Sequence, residues 1–221
     1  MHTFPTPTAI TTVLDIPAGR VQLIAADRTD TTVQVQPANP DKNRDVKAAQ
    51  QVTVTYDDGV LRVQAPPARN QAFGPSGSVE ITVQLPTGSH LQATAASAEL
   101  RGVGRLGQVA FEAAQGPVKL DEAASAHLTL QDGDVTLGRL GGPAQISTAR
   151  GDIDIAHATR GTVEVRTESG DITVSAAPGV SAALDAGAPH GRVHNALKND
   201  GETTLDIRAT TSHGDITARS L

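Results

Sequence analysis

From about residue 106 onward, apolar and polar residues alternate in short runs, and glycines mark the breaks between runs. Gln115-Gly116-Pro117-Val118-Lys119-Leu120, Asp132-Gly133-Asp134-Val135-Thr136-Leu137 and Arg150-Gly151-Asp152-Ile153-Asp154-Ile155 are three copies of one phrase. Ser169-Gly170-Asp171-Ile172-Thr173-Val174 and His213-Gly214-Asp215-Ile216-Thr217-Ala218 repeat it, and Gly191-Arg192-Val193-His194 is a degenerate copy. The spacing widens from 17 residues (Gly116 to Gly133) to 23 (Gly191 to Gly214). Four of the five intervals also hold a second alternating run: 126–130, 144–147, 162–166 and 204–208. The unit is therefore strand, glycine corner, strand, connector.

Alternation with period 2 buries one face of a strand and wets the other. Two such strands cannot bury that face alone, whereas successive units stacked in register bury a continuous stripe. The apolar positions agree with stacking. Val118, Val135, Ile153, Ile172, Val193 and Ile216 stand two residues after their glycines, and Leu120, Leu137, Ile155 and Val174 stand four after. Asn195 and Ala218 weaken the second row. Rungs about 4.8 Å apart would turn these positions into inward ladders. An antiparallel sandwich of hairpins is the alternative, since Asp-Gly between alternating strands also signals a hairpin. One turn per roughly 20 residues favours the stack. The expected fold is all-β: an elongated, single-stranded β-helix-like solenoid, right-handed as parallel crossovers favour. Gly116, Gly133, Gly151, Gly170, Gly191 and Gly214 are its corner residues, expected to supply positive φ while the following Asp bonds the local backbone.

The first half is looser. Gly19-Arg20-Val21-Gln22-Leu23 is related to the repeat, and alternating strands follow at 32–36, 78–86 and 91–95. Residues 51–64, with Asp57-Asp58-Gly59 between alternating runs, read as a hairpin. Between Pro37 and Gln50 a charged segment predicts a helix of one or two turns, capped by Asp41 and running through Ala49. Residues 66–78, rich in Pro, Gly and Ser, read as a loop. The expected organisation is an irregular N-terminal β cap over 1–105, continuous with solenoid rungs over 106–221 as one domain.

The order of these motifs resembles a known family. A Gly-x-Val strand, Asp45-Val46-Lys47-Ala48-Ala49-Gln50-Gln51-Val52-Thr53-Val54, the Asp57-Asp58-Gly59-Val60-Leu61-Arg62-Val63 hairpin, Val79-Glu80-Ile81-Thr82-Val83-Gln84-Leu85-Pro86-Thr87-Gly88 and the Ser-Gly-Asp-Ile-Thr-Val units follow in turn. This succession is similar to the bacterial β-strand-repeat family of unknown function labelled "putative adhesin". The resemblance covers nearly the whole chain. It implies a solenoid-like fold, no established catalytic residue, and surface exposure.

Composition narrows the function. A net charge of −6 argues against nucleic acid or an anionic membrane surface as partner. The absence of cysteine removes disulfides, thiol nucleophiles and Cys-ligated metals. One Tyr, three Phe and no Trp leave little for carbohydrate or base-stacking platforms. Residues 1–20 lack the basic start and apolar run of a secretory leader, and no stretch approaches a membrane span. The expected location is cytoplasmic, with an extracellular protein whose leader was removed as the alternative.

Candidate chemistry is sparse. Asp134, Asp152, Asp171 and Asp215 would form an acidic row on stacking, with Arg192 between the last two. Such a row is a weak candidate for Ca²⁺, and turn capping is the plainer reading because the nine-residue calcium-roll period is absent. His190 and His213 occupy equivalent places before their glycines; as stacked neighbours they could hold Zn²⁺, although no metal-binding spacing supports it. Arg150-Gly151-Asp152 spells the integrin tripeptide but is one copy of the corner. Neither a Gly-x-Ser-x-Gly elbow nor a phosphate loop occurs. The expectation is a non-enzymatic structural or protein-interaction module without catalytic residues or cofactor. It would bind an unknown protein or self-associate through sheet edges. An adhesin-like surface protein is the alternative, and a carbohydrate-active enzyme is a more distant one.

Overall fold

The computed structural model describes residues 1–65 and 77–221. Most of the loop expected over 66–78 lies outside the described residues. The chain is divided into two compact units, Met1–Gly116 and Pro117–Leu221.

In the first unit the long strand β2 (Thr11–Ala26) is central, after the short β1 (His2–Pro5). Along one edge β2 pairs parallel with β5 (Val60–Gln64) and then β6 (Val79–Pro86). Along the other it pairs parallel with β7 (His90–Gln115) from Thr11 to Ile24. β3 (Asp30–Pro37) runs antiparallel to β6 and β1. The expected hairpin forms from β4 (Thr53–Asp57) and β5, and Asp58 and Gly59 both take positive φ, as a two-residue primed turn requires. Leu14, Leu23, Leu61, Ile81, Leu91 and Leu100 are fully buried and form the core of this unit. Arg20, in the place that Asp occupies in later repeats, lies between Glu99 (2.9 Å) and Glu80 (4.0 Å) on the flanking strands.

The helix α1 (Asn43–Gln51) differs in detail from the expectation. Its N-cap is Lys42, which makes no side-chain capping bond. Asp41 is not the cap: its own N–H is taken by Asn39 Oδ1 at 2.9 Å, so Asn39 organises the turn that precedes the helix. The one buried helical residue is Asp45, whose carboxylate accepts the Ser78 N–H at 3.0 Å. A polar anchor rather than an apolar face docks this helix.

The second unit is the repeat region, and its strands stack in parallel. β8 (Val118–Asp132) begins two rows. The row that follows the glycine corners contains β9 (Val135–Leu140), β11 (Ile153–Ala158), β13 (Ile172–Ala176), β17 (Ile216–Ser220) and β15 (Val193–Ala196). The row that precedes them contains β10 (Ala144–Arg150), β12 (Gly161–Ser169), β16 (Leu205–His213) and β14 (Ala182–Gly187). Every pairing in both rows is parallel, which replaces the antiparallel alternative with the stacked one. The inward ladder is realised: Val118, Val135, Ile153, Ile172 and Ile216 are each 1% exposed or less. At about 1.5–3 kcal/mol per buried Val or Ile side chain, this stripe is a principal source of cohesion.

The stacking order departs from the chain order. Leu205–Ser220 lies between the rung of β12 and β13 and the rung of β14 and β15. The rung at 182–196 is therefore outermost among the described residues, and Val193, at a core position of the repeat, is 46% exposed. Asn195, polar at the weakest ladder position, lies on the same exposed strand. Strict sequential stacking would bury Asn195 between two rungs; insertion of the more apolar Leu205–Ser220 segment avoids that cost.

Candidate functional site

The glycine corners carry the densest recurring chemistry in the molecule. Main-chain bonding between rungs continues on both sides of each corner: Gly151 N–H donates to the Ser169 carbonyl at 3.0 Å and Ile153 N–H to that of Asp171 at 2.9 Å. The corner itself leaves two groups for side chains to satisfy, the Asp N–H and the Gly carbonyl.

The acidic row supplies the first need. Asp134 Oδ1 accepts the Asp152 N–H at 2.9 Å, and Asp152 Oδ1 accepts the Asp171 N–H at 2.7 Å. Asp171 Oδ1 accepts the Asp215 N–H at 2.7 Å, and Asp215 Oδ1 accepts the Arg192 N–H at 2.8 Å. The expectation that each Asp bonds its own turn is corrected: each carboxylate reaches the next rung. Arg192 is not between Asp171 and Asp215 either, because the inserted rung brings those two together and leaves Arg192 at the end. There its guanidinium lies 3.7 Å from Asp215 Oδ2.

Buried threonines supply the second need. Thr167 Oγ1 donates to the Gly151 carbonyl at 3.1 Å and Thr211 Oγ1 to that of Gly170 at 2.9 Å. Thr148 lies in register with Thr167 and donates to Arg150 O at 3.0 Å, with Gly133 O at 3.4 Å. All three are 4% exposed or less. The sequence carries a signal for them, a Thr three residues before Gly-Asp in Thr148-Ala-Arg-Gly-Asp, Thr167-Glu-Ser-Gly-Asp and Thr211-Ser-His-Gly-Asp.

The same carbonyls explain the glycines. A Cβ on Gly151, whose φ is +138°, would sit 2.2 Å from the Gly133 carbonyl oxygen. Gly191 shows that φ is only half of the requirement: it is not among the positive-φ glycines, yet a Cβ there would meet Gly214 O at 1.8 Å. Close approach of the neighbouring rung, more than handedness of the backbone, fixes the residue type at Gly191.

The remaining candidates sort by position. Arg150 and Asp152 of the tripeptide are both engaged with neighbouring rungs, Arg150 through Asp132 at 2.8 Å. His190 and His213 are neighbours, with ring centroids 4.9 Å apart and planes 15° from parallel. Beside the outermost rung an open depression of about 480 Å³ is lined by Arg192, Val193, His194, Asp215, Ile216 and Thr217. Among the described residues no group of three or more His, Asp or Glu is arranged around a common metal position. No helix among them is long and apolar enough to cross a membrane.

The sequence matches the family model of Toastrack DUF4097 over residues 12–220, nearly its whole length. The chain belongs to the Toastrack DUF4097 family. No curated protein matches this Toastrack chain. Among solved structures, a "putative adhesin" from Bacteroides fragilis is 14% identical at a TM-score of 0.45, covering 98% of this chain and 95% of that one. A "putative cell adhesion protein" from Clostridium sporogenes is 12% identical at 0.42, covering 100% and 98%. A "putative lipid binding protein" from Parabacteroides distasonis is 11% identical at 0.48, covering 98% and 95%.

Proposed function

We propose that this Toastrack chain is a non-catalytic scaffold that presents in-register rows of polar side chains to a protein partner. The observation that carries the reading is the outward face of the β10–β12–β16–β14 row. Its register places Gln145, Glu164, Arg208 and Asp185 side by side across four parallel strands. Neighbouring strands lie about 4.8 Å apart, so beyond the neutral Gln145 charge alternates at fixed intervals from Glu164 through Arg208 to Asp185. A regularly spaced row of mixed charge suits recognition of a complementary protein surface more than it suits catalysis, which needs side chains converging on one point. The corner carboxylates already serve the next rung's amides, which supports a structural role for the acidic row.

The test places a photo-crosslinking amino acid at Glu164 or Arg166, both exposed, in cells expressing the full chain. A discrete adduct with one polypeptide is expected, weakened by Arg208→Glu on the same face. Absence of any adduct from either position overturns the reading. An adduct with the chain itself would identify the partner as a second copy, which light scattering over a concentration series would register as a rising mass.

A further inference from the structure

The outermost rung has one open side. Its strands β14 and β15 pair with β16 and β17, and among the described residues no strand pairs with their other edges. The Lys198 carbonyl accepts the Ala182 N–H at 3.0 Å, so the chain covers the start of β14 itself and leaves β15 as the open edge. All four residues of β15 are exposed. Val193 stands where Ile172 and Ile216 are buried, and a depression of about 480 Å³ opens beside Arg192, Val193 and His194.

The charge of this edge is opposite to that of the chain. The net charge of the protein is −6, yet residues 186–199 carry Arg192 and Lys198 and no carboxylate. At the corner place of Asp134, Asp152, Asp171 and Asp215, the outermost rung has Arg192. Its side chain is 91% exposed, with Nε 3.7 Å from Asp215 Oδ2, while Asp215 Oδ1 holds the Arg192 N–H.

We propose that the open edge of β15 takes up an extended acidic segment of a partner protein as a further parallel strand, with an Asp or Glu beside Arg192 and an apolar side chain against Val193. Strand addition of this kind draws affinity from main-chain hydrogen bonds and specificity from alternate side chains. Parallel rungs about 4.8 Å apart bring the incoming residue level with Arg192 within reach of its guanidinium, whose planar fork matches a carboxylate. The next incoming residue continues the Val/Ile ladder and covers Val193. Charge also selects against a second copy as the occupant. Two copies meeting through this edge would bring Arg192 and Lys198 toward their own counterparts, and like charges across paired strands are destabilising. The corner carboxylates Asp134, Asp152 and Asp171 of such a copy already serve amides of their own stack. This edge is separate from the outward polar face that carries the proposed function, and either can fail without the other.

The experiment follows fluorescence anisotropy of a labelled synthetic peptide, Ser-Gly-Asp-Ile-Thr-Val-Ser, the phrase of residues 169–175, against full-length protein. A second peptide with Lys in place of Asp is the comparison. Saturable binding of the acidic peptide is expected, roughly tenfold or more tighter than that of the Lys peptide. Arg192→Glu should reverse the preference, whereas Arg62→Glu, an exposed site on β5, leaves it unchanged. Amide exchange over 193–196 should slow when the acidic peptide binds. Absence of saturable binding overturns the proposal and leaves Arg192 as a charge that blunts the edge. Equal binding of the two peptides, or binding that survives Arg192→Glu, overturns it as well. Self-association of the full chain that Arg192→Glu abolishes would make a second copy the occupant, and that too overturns it.

Discussion

At a glycine corner, an added methyl group would have no free space because the next rung's carbonyl already occupies it. Gly151→Val combines a 2.2 Å approach to Gly133 O with a φ of +138°, so a loss of roughly 2–5 kcal/mol is expected from strain plus overpacking. Thr173→Val, three positions after the next corner glycine, Gly170, and half-buried, should stay within about 0.5 kcal/mol of the parent. Urea unfolding of the two variants measures the contrast. The carboxylates lend themselves to a finer comparison. Asp152→Ala removes the acceptor of the Asp171 N–H and should cost about 1 kcal/mol. Asp152→Asn keeps an oxygen in the same place and should unfold at a urea midpoint closer to the parent. If the Asn variant is as damaged as the Ala variant, charge rather than the hydrogen bond is what the corner requires.

A strand's position in the stack matters more than its position in the repeat. Ile216 and Val193 occupy the same place after their glycines, but Ile216 is 1% exposed and Val193 46%. Ile216→Ala should therefore cost about 2–4 kcal/mol and Val193→Ala less than about 1 kcal/mol. The strict chain order would give the reverse, with Val193 interior and Ile216 at the end. Chemical unfolding of these two variants thus tests the insertion directly.

At the scale of the whole molecule, acid is the informative variable. A hydrogen bond from Arg28 holds the Asp30 carboxyl below its usual range, and the Ser181 side chain with the Glu202 amide does the same for Asp200. Depressed folded-state values mean that the unfolded chain binds these protons more readily. The associated stability is present above the ordinary carboxylate value of about 3.9 and is lost as pH falls through the lower folded values. Unfolding midpoints measured from pH 5 down to pH 2 should decline, and Asp30→Asn should make the decline shallower. Much of this architecture was legible beforehand, because glycine spacing and the Val/Ile positions encode rung length and the buried face. The paired imidazoles were legible too, from their shared place before a glycine. The order of the last two rungs was less accessible, since local pattern specifies how a rung folds and not where it docks. Even so, the rung at 182–196 carries Arg192 in place of the Asp that serves a following rung's amide, and the polar Asn195 at a ladder position, and those two changes mark the end of the stack. The buried threonines are less legible, because Thr reads as a polar strand residue until the carbonyl it serves is seen.

The inserted rung also inverts the order of synthesis and the order of docking. On the ribosome, 182–196 emerges before 205–220, yet among the described residues its strand neighbours in the finished stack are β16 and β17 alone. It must wait, unpaired, while β12 and β13 offer open edges to whatever is nearby. Slowing translation between codons 197 and 204 would lengthen that interval and give chaperones, or the wrong strand, more time at those edges.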